Sequence, residues 1–237
     1  MRIPITKRLL NTANMVAPGA RVADIGCDHG YLGIYLLRQG IAASVYASDL
    51  RPKPLEAARR NAERFRVTEH ITFICADGLS GIDPRAVDTV ICAGMGGDLV
   101  RMLLEAAPWV RNGAYTLLLQ PQSGLHDLRL WLLAQGFAIE AERPVFDDGF
   151  IYATMQVRWT GKPTSCTPGE SFVTKQLLDS GSADTILYIG RMLDSIEKTL
   201  TGLRKAADPG DKLAFYEQAR KEVLEMRERY DNGQTGQ

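Results

Sequence analysis

The sequence predicts an α/β chain: a doubly wound, mostly parallel sheet with an antiparallel hairpin at one edge, followed by a C-terminal helical coiled-coil hairpin. Three observations predict it. Between residues 21 and 120, short β-branched or apolar runs alternate with amphipathic stretches, the sign of βαβ units. A glycine-punctuated loop follows the first of those runs. From residue 186 onward, apolar residues recur at alternating spacings of three and four.

The expected strands are 21–25, 43–48, 71–75, 88–92 and 114–120, with helices at about 31–39, 53–65, 96–106 and 124–135 between them. Gly40 and Gly136 stand where the chain must leave a helix and turn into a strand. Two further runs, 137–143 and 150–159, are separated by Pro144 and by Asp147-Asp148-Gly149, which reads as an antiparallel hairpin at the sheet edge. Residues 161–169 hold two prolines, two glycines and three Ser/Thr residues, a linker composition, so a boundary is expected between 1–160 and 161–237. Beyond it, Ile186, Ile189, Leu193, Ile196, Leu200 and Leu203 mark one helical seam. Tyr216, Ala219, Val223, Met226 and Tyr230 mark a second after the turn at Asp208-Pro209-Gly210. The last residues, 231–237, are expected to be a disordered tail.

Composition narrows the function classes. Hydrophobic residues make up 45% and charged residues 24%, a soluble globular balance, and no apolar run approaches the ~20 residues of a membrane span. Lys7 and Arg8 interrupt the N-terminal apolar pattern, which is not that of a secretion signal, so a cytoplasmic protein is expected. The cysteines Cys27, Cys75, Cys92 and Cys166 are widely spaced, and the three histidines do not complete metal-ligand spacing with them. Neither a disulfide framework nor a metal site is expected. The net charge is zero, so any footprint for nucleic acid must be local. No obligate protein partner is evident.

The chemistry-bearing residues sit at the ends of the expected strands. Asp24-Ile25-Gly26-Cys27-Asp28-His29-Gly30 follows the first strand, where a doubly wound sheet holds a nucleotide-like ligand. A dinucleotide fingerprint needs a glycine at position 28 so that backbone can approach a pyrophosphate, and Asp28 would repel it. S-adenosylmethionine carries a sulfonium and an ammonium and no phosphate, so an acid-rich loop suits it. Asp49 ends the second strand 25 residues after Asp24, placed to accept hydrogen bonds from both ribose hydroxyls, with Leu50 beside it. Helix capping is its alternative role. Asp77-Gly78 follows the third strand, where a side chain can bond an adenine amino group or simply form a turn. Ala93-Gly94-Met95-Gly96-Gly97 follows the fourth and implies close approach of backbone to ligand. Gln120-Pro121 closes the fifth beside the same crevice, placed to contact a nucleobase edge or to be solvated. The antiparallel edge pair favours the Rossmann-like methyltransferase variant of the architecture over the all-parallel dinucleotide fold.

The strings DIGCDHG, AGMGG and LLLQPQ, with Lys7-Arg8-Leu9 upstream and a two-helix appendage downstream, resemble the bacterial tRNA adenine-22 N1-methyltransferase family over about residues 5–158. The resemblance implies S-adenosyl-L-methionine as cofactor, tRNA as substrate and N1 of an adenine as target, with Arg8, Gln120 and Pro121 on the substrate side. Cys27 stands where a small residue such as Thr is expected. N1 of neutral adenine has an in-plane lone pair and attacks a sulfonium methyl without a general base, giving a cationic product. Such a reaction needs alignment and a nearby negative group, for which Asp28 is the candidate, with His29 positioning it or contacting the cofactor. Simple capping of the first helix is the competing role for this pair. The basic residues Arg51, Lys53, Arg59, Arg60, Arg64 and Arg66 gather around one helix and Arg2, Lys7 and Arg8 at the N-terminus. Runs of this kind are usually solvated faces. Two other functions stay open on sequence alone: an NAD(P)-dependent oxidoreductase, which Asp28 argues against, and a noncatalytic metabolite-binding protein acting through its seam.

Overall fold

The computed structural model describes residues 2–234. Seven strands form one sheet: β1 (Ala20–Ile25), β2 (Ala42–Asp49), β3 (Ile71–Cys75), β4 (Thr89–Gly96), β5 (Thr116–Ser123), β6 (Phe137–Asp147) and β7 (Phe150–Trp159). Their order is β3-β2-β1-β4-β5-β7-β6; the first five are parallel, and β7 runs antiparallel to both β5 and β6. Helices α1 (Lys7–Ala13), α2 (Tyr31–Arg38) and α3 (Pro52–Phe65) cover one face, and α4 (Gly97–Glu105) and α5 (Leu125–Ala134) the other. The strand sequences enforce this. Val90, Cys92, Leu117 and Leu119 pack toward α4 and α5, while their neighbours Ile91 and Leu118 pack toward α2 and α3, the period of two that a strand buried on both faces requires.

The expected strands and helices of the first 136 residues occur within a few residues of their expected positions, with two differences. The short helix α1, unread in the sequence, is capped by the Thr6 side chain and docks on the edge hairpin, where Thr12 Oγ1 meets Thr154 Oγ1 at 3.0 Å. Strand β4 runs on through Gly96, with its ladder to β5 slipping on either side of Met95, so the glycine string is a bulged strand end rather than a loop. Pro144 does not end β6. That strand has a single neighbour, and a missing amide is tolerated at a sheet edge. Asp148 and Gly149, both at positive φ, close the β6–β7 hairpin, the twist a two-residue turn demands.

After β7 the chain forms the short helices α6 (Pro168–Phe172) and α7 (Lys175–Leu178) and then two long ones, α8 (Thr185–Leu203) and α9 (Gly210–Gln234). Within the two expected seams, Ile189, Ile196, Leu200, Ala219, Val223 and Met226 are buried, whereas Ile186 is 38% exposed. Their core is shared with the sheet, because Ala153 of β7 and Leu125 of α5 belong to it. Arg129 of α5 and Glu142 of β6, 1% and 0% exposed at their side chains, form a buried ion pair. Arg129 also donates to the carbonyls of Ser171 and Phe172 and to the Tyr188 hydroxyl, while Thr174 Oγ1 donates to Glu142 at 2.6 Å. Packing therefore crosses the position expected for the boundary. The expected tail is helical through Gln234, and residues 235–237 lie outside the described residues. Among the described residues no helix is long and apolar enough to cross a membrane.

Candidate active site

Strand order reverses between β1 and β4, so the connections leaving their C-terminal ends diverge and open a crevice. A cleft of about 500 Å³ lies there, adjoining a smaller cavity of about 100 Å³; Arg8, Gly26, Asp28 and Ala93 line both. Asp49, Leu50, Asp77, Gly78, Gly94 and Met95 line the cleft, and Asp24, Cys27 and His29 line the cavity. The twelve residues expected from sequence to hold a cofactor thus converge.

The first loop is fixed by its backbone. The amides of Gly26 and Cys27 both donate to the Ser48 carbonyl, at 2.8 and 2.9 Å, pinning the loop to β2. Gly26 sits at φ 69°, a backbone conformation that strains any L side chain, and a Cβ there would also push aside the end of Met95, whose Cε lies 2.4 Å from that position. Asp28 holds φ 49°, a left-handed conformation that Asp and Asn tolerate better than most residues. Its amide donates to Asp49 Oδ2 at 3.3 Å. Helix α2 is capped by Gly30, which offers no side-chain hydrogen bond, so Asp28 and His29 are not its caps. Their side chains are 63% and 54% exposed, with His29 Nε2 3.8 Å from Asp28 Oδ2.

The three strand-end acids differ sharply in setting. Asp24 is 4% exposed, and its Oδ2 is buried without a hydrogen-bond partner. Burial pushes its carboxyl up to about 7, opposed by a hydrogen bond from the Gly33 amide and reinforced by the charge of Asp49. An unpaired, buried carboxylate oxygen at a cavity wall calls for a cationic donor. Asp49, 6% exposed, accepts from the amides of Asp28 and Arg51 and lies 3.7 Å from Arg51 Nε. It does not cap α3, whose N-cap is Arg51. Asp77 is exposed on the cleft wall, and Gly78 beside it has no room for a Cβ, which would fall 2.2 Å from Leu103.

Arg8 comes from α1. Its amide donates to Asp147 Oδ2 at 2.9 Å, its Nη1 donates to Gln120 Oε1 at 2.6 Å, and its guanidinium lies 5.6 Å from the Tyr152 ring centre. It also crosses Gly94, where a Cβ would come within 3.2 Å of Nη1. Gln120 is fully buried, which corrects the expectation of direct contact with a nucleobase: it reaches the cleft only through Arg8. Pro121 lines a cavity of about 250 Å³ beneath α8 that adjoins the cleft, its neighbour Gln122 lining both. Sequence reasoning did not single out Ser48, Leu99, Leu103 or Gln122. Leu50 and Leu99, 65% and 46% exposed, provide an apolar wall suited to a flat ring.

Residues 5–155 match the family described as a methyltransferase domain. The chain belongs to that family. The tRNA (adenine(22)-N(1))-methyltransferase of Bacillus subtilis is 33% identical over 153 residues, 65% of this chain and 64% of that relative's length. The crystal structure of the B. subtilis M1A22 tRNA methyltransferase aligns with this methyltransferase fold at a TM-score of 0.76 and 26% identity, covering 98% of this chain and 99% of that chain. A Streptococcus pneumoniae protein crystallised with S-adenosyl-L-methionine aligns at a TM-score of 0.78 and 29% identity, covering 93% and 99%.

Proposed function

We propose that the protein uses S-adenosyl-L-methionine to methylate N1 of an adenine in tRNA, at position 22, acting in the cytoplasm. The observation that carries the cofactor assignment is the acidic cleft with an orphaned, buried Asp24 oxygen and with Asp28 where a phosphate-binding loop needs glycine. The relatives named above support the substrate. The residues fit the cofactor: Asp24 Oδ2 suits the α-ammonium, Asp49 the ribose hydroxyls, and Leu50 and Leu99 the adenine faces, with Asp77 at the ring edge. When bound, the cofactor supplies an electrophilic methyl group on sulfur.

The target's N1 lone pair forms the new N–C bond as the methyl–sulfur bond breaks with its electron pair left on sulfur, so no proton need move. What the chain contributes is alignment and charge. Asp28 faces both cavities and supplies a carboxylate for the charge appearing on the base, with His29 steadying it from 3.8 Å. Arg8, braced by Gln120 and Asp147, orients an anionic or hydrogen-bonding part of the substrate. Residues 1–160 carry this chemistry, and residues 161–237 serve as a shape-reading tRNA element. Calorimetric titration with S-adenosyl-L-methionine and with NAD, followed by transfer of labelled methyl to tRNA, tests the reading; binding of NAD alone would overturn it.

Two outcomes follow for the cofactor. Asp49→Ala is expected to weaken S-adenosyl-L-methionine binding by about 10-fold to 100-fold in calorimetry, since charge-assisted hydrogen bonds are lost and the Asp28 amide loses its anchor. Cofactor affinity should also fall about fivefold between pH 7.4 and pH 6, because protonation of Asp24 near 7 removes the charge that holds the ammonium. The fold itself responds with the opposite sign. A raised carboxyl pKa favours the folded state at low pH, and that contribution is lost as pH rises through about 7. Asp24→Asn should flatten both dependences; an unchanged pH profile in that variant would remove Asp24 from the ammonium site.

A further inference from the structure

Two glutamines stand two residues apart near the end of β5, so their side chains leave the same face of the strand. Their settings differ. Gln120 is buried, and its carboxamide is taken by Arg8. Gln122 is exposed, and among the described residues its carboxamide bonds to no protein group. It lines the cleft together with Asp28 and also lines the cavity beneath α8, so it stands at the junction of the two. Its backbone is held on both sides, because Pro121 and Ser123 pair with Met95 and Gly96 of β4. Beside it lies Gly94 at φ 86°, where a Cβ would come within 3.5 Å of Gln122 Nε2 and 3.2 Å of Arg8 Nη1. The bare glycine backbone thus leaves room for both polar groups at the cleft wall.

A carboxamide carries an acceptor and a donor side by side. That pattern matches one edge of adenine. The N6 amino group donates to the carboxamide oxygen while N7 accepts from its nitrogen, the bidentate pairing by which Gln and Asn select adenine among the bases. The same pairing bears on the reaction. Adenine has in-plane lone pairs at N1, N3 and N7, each able to take a methyl group, and a base held by N6 and N7 has N7 blocked and N1 free. Guanine presents two acceptors on this edge, O6 and N7, which leaves the carboxamide oxygen facing O6 without a donor.

We propose that Gln122 grips the N6–N7 edge of the target adenine and so fixes which ring nitrogen faces the cofactor's methyl group. This rests on the tRNA reading above and names the residue that selects the base. Gln122 and Asp28, which line the same cleft, then act on one base, the first by orienting it and the second by its charge. Gln120, two residues earlier, serves the site only by holding Arg8.

The test pairs a protein variant with the deletion of one substrate atom. Single-turnover methylation by the full-length protein is measured on tRNA carrying adenosine or 7-deazaadenosine, which lacks N7, at the target position. Gln122→Ala should methylate the adenosine RNA about 5-fold to 100-fold more slowly than wild type, as for the loss of a bidentate base contact. The ratio of the adenosine rate to the 7-deazaadenosine rate should be about fivefold larger in wild type than in the variant, the size of one lost hydrogen bond. Comparing the two ratios cancels any change in the reactivity of N1 itself. Gln122→Met, which keeps the length of the stem without the amide, should show the same reduced ratio and replaces the alanine variant if that reacts too slowly to follow. Both variants should bind S-adenosyl-L-methionine nearly as wild type does in calorimetry, which shows the fold intact. Equal ratios in wild type and variant overturn the assignment of Gln122 while the tRNA reading stands. Failure of the wild-type protein to methylate the adenosine RNA at all overturns both.

Discussion

Asp28→Asn is expected to lower single-turnover methylation of tRNA by about 10²-fold to 10³-fold, the loss typical of removing one electrostatic stabiliser. The substitution is unusually clean at this position. Asn accepts the left-handed backbone at φ 49° as readily as Asp, and the amide that donates to Asp49 is untouched. Shape and loop geometry persist while the charge goes. Because α2 is capped by Gly30 alone, the variant does not disturb a helix terminus. Cofactor affinity should fall far less than turnover. An Asn variant as fast as wild type at saturating tRNA and cofactor would leave alignment as the sole source of catalysis.

The second large effect concerns stability. Arg129→Met is expected to destabilise the protein by about 3–5 kcal/mol in denaturant titrations, because it strands the Glu142 carboxylate in the interior with only Thr174 donating to it. It also removes the donors that satisfy the Ser171 and Phe172 carbonyls and the Tyr188 hydroxyl. Burial alone would lower the guanidinium pKa, but the Glu142 charge and then Tyr188 outweigh it, so Arg129 stays charged at every accessible pH. Arg129→Met combined with Glu142→Leu should lose markedly less than the single variant, since no buried charge is left alone. Equal losses would mean that packing rather than charge pairing governs the site. The network ties α5 and β6 to α6, α7 and α8, so this pair is a polar link between the catalytic sheet and the C-terminal helices beside their shared apolar core.

The strand-end acids were legible because each follows a short apolar run and precedes a turn, so local pattern placed Asp24, Asp49 and Asp77 at one edge of a parallel sheet. Gly26 and Gly78 were equally readable, since each lies in the turn that follows a strand-end acid; the approach of Met95 and Leu103 to them was not. Interactions between distant segments were not. Gln120 and Arg8 are separated by 112 residues, and nothing local to either reveals that one is buried to hold the other. Helix α1 has seven residues and a broken apolar pattern; its stability comes from docking on the edge hairpin, a tertiary effect. Strand β4 continues through Gly94 because β5 pairs with it, overriding glycine's weak strand preference. The seam spacing identified α8 and α9, yet it could not show that α6 and β7 would share their core or leave Ile186 at the surface.

The central claim is methylation of adenine N1 in tRNA, and its most direct test is nucleoside mass spectrometry of unmodified tRNA incubated with the protein and deuterium-labelled S-adenosyl-L-methionine. The expected result is labelled 1-methyladenosine that maps to position 22 after nuclease digestion and is absent when Asp28→Asn replaces the wild-type protein at matched short times. Label appearing on another nucleoside, or none appearing although the protein binds the cofactor, would contradict the account.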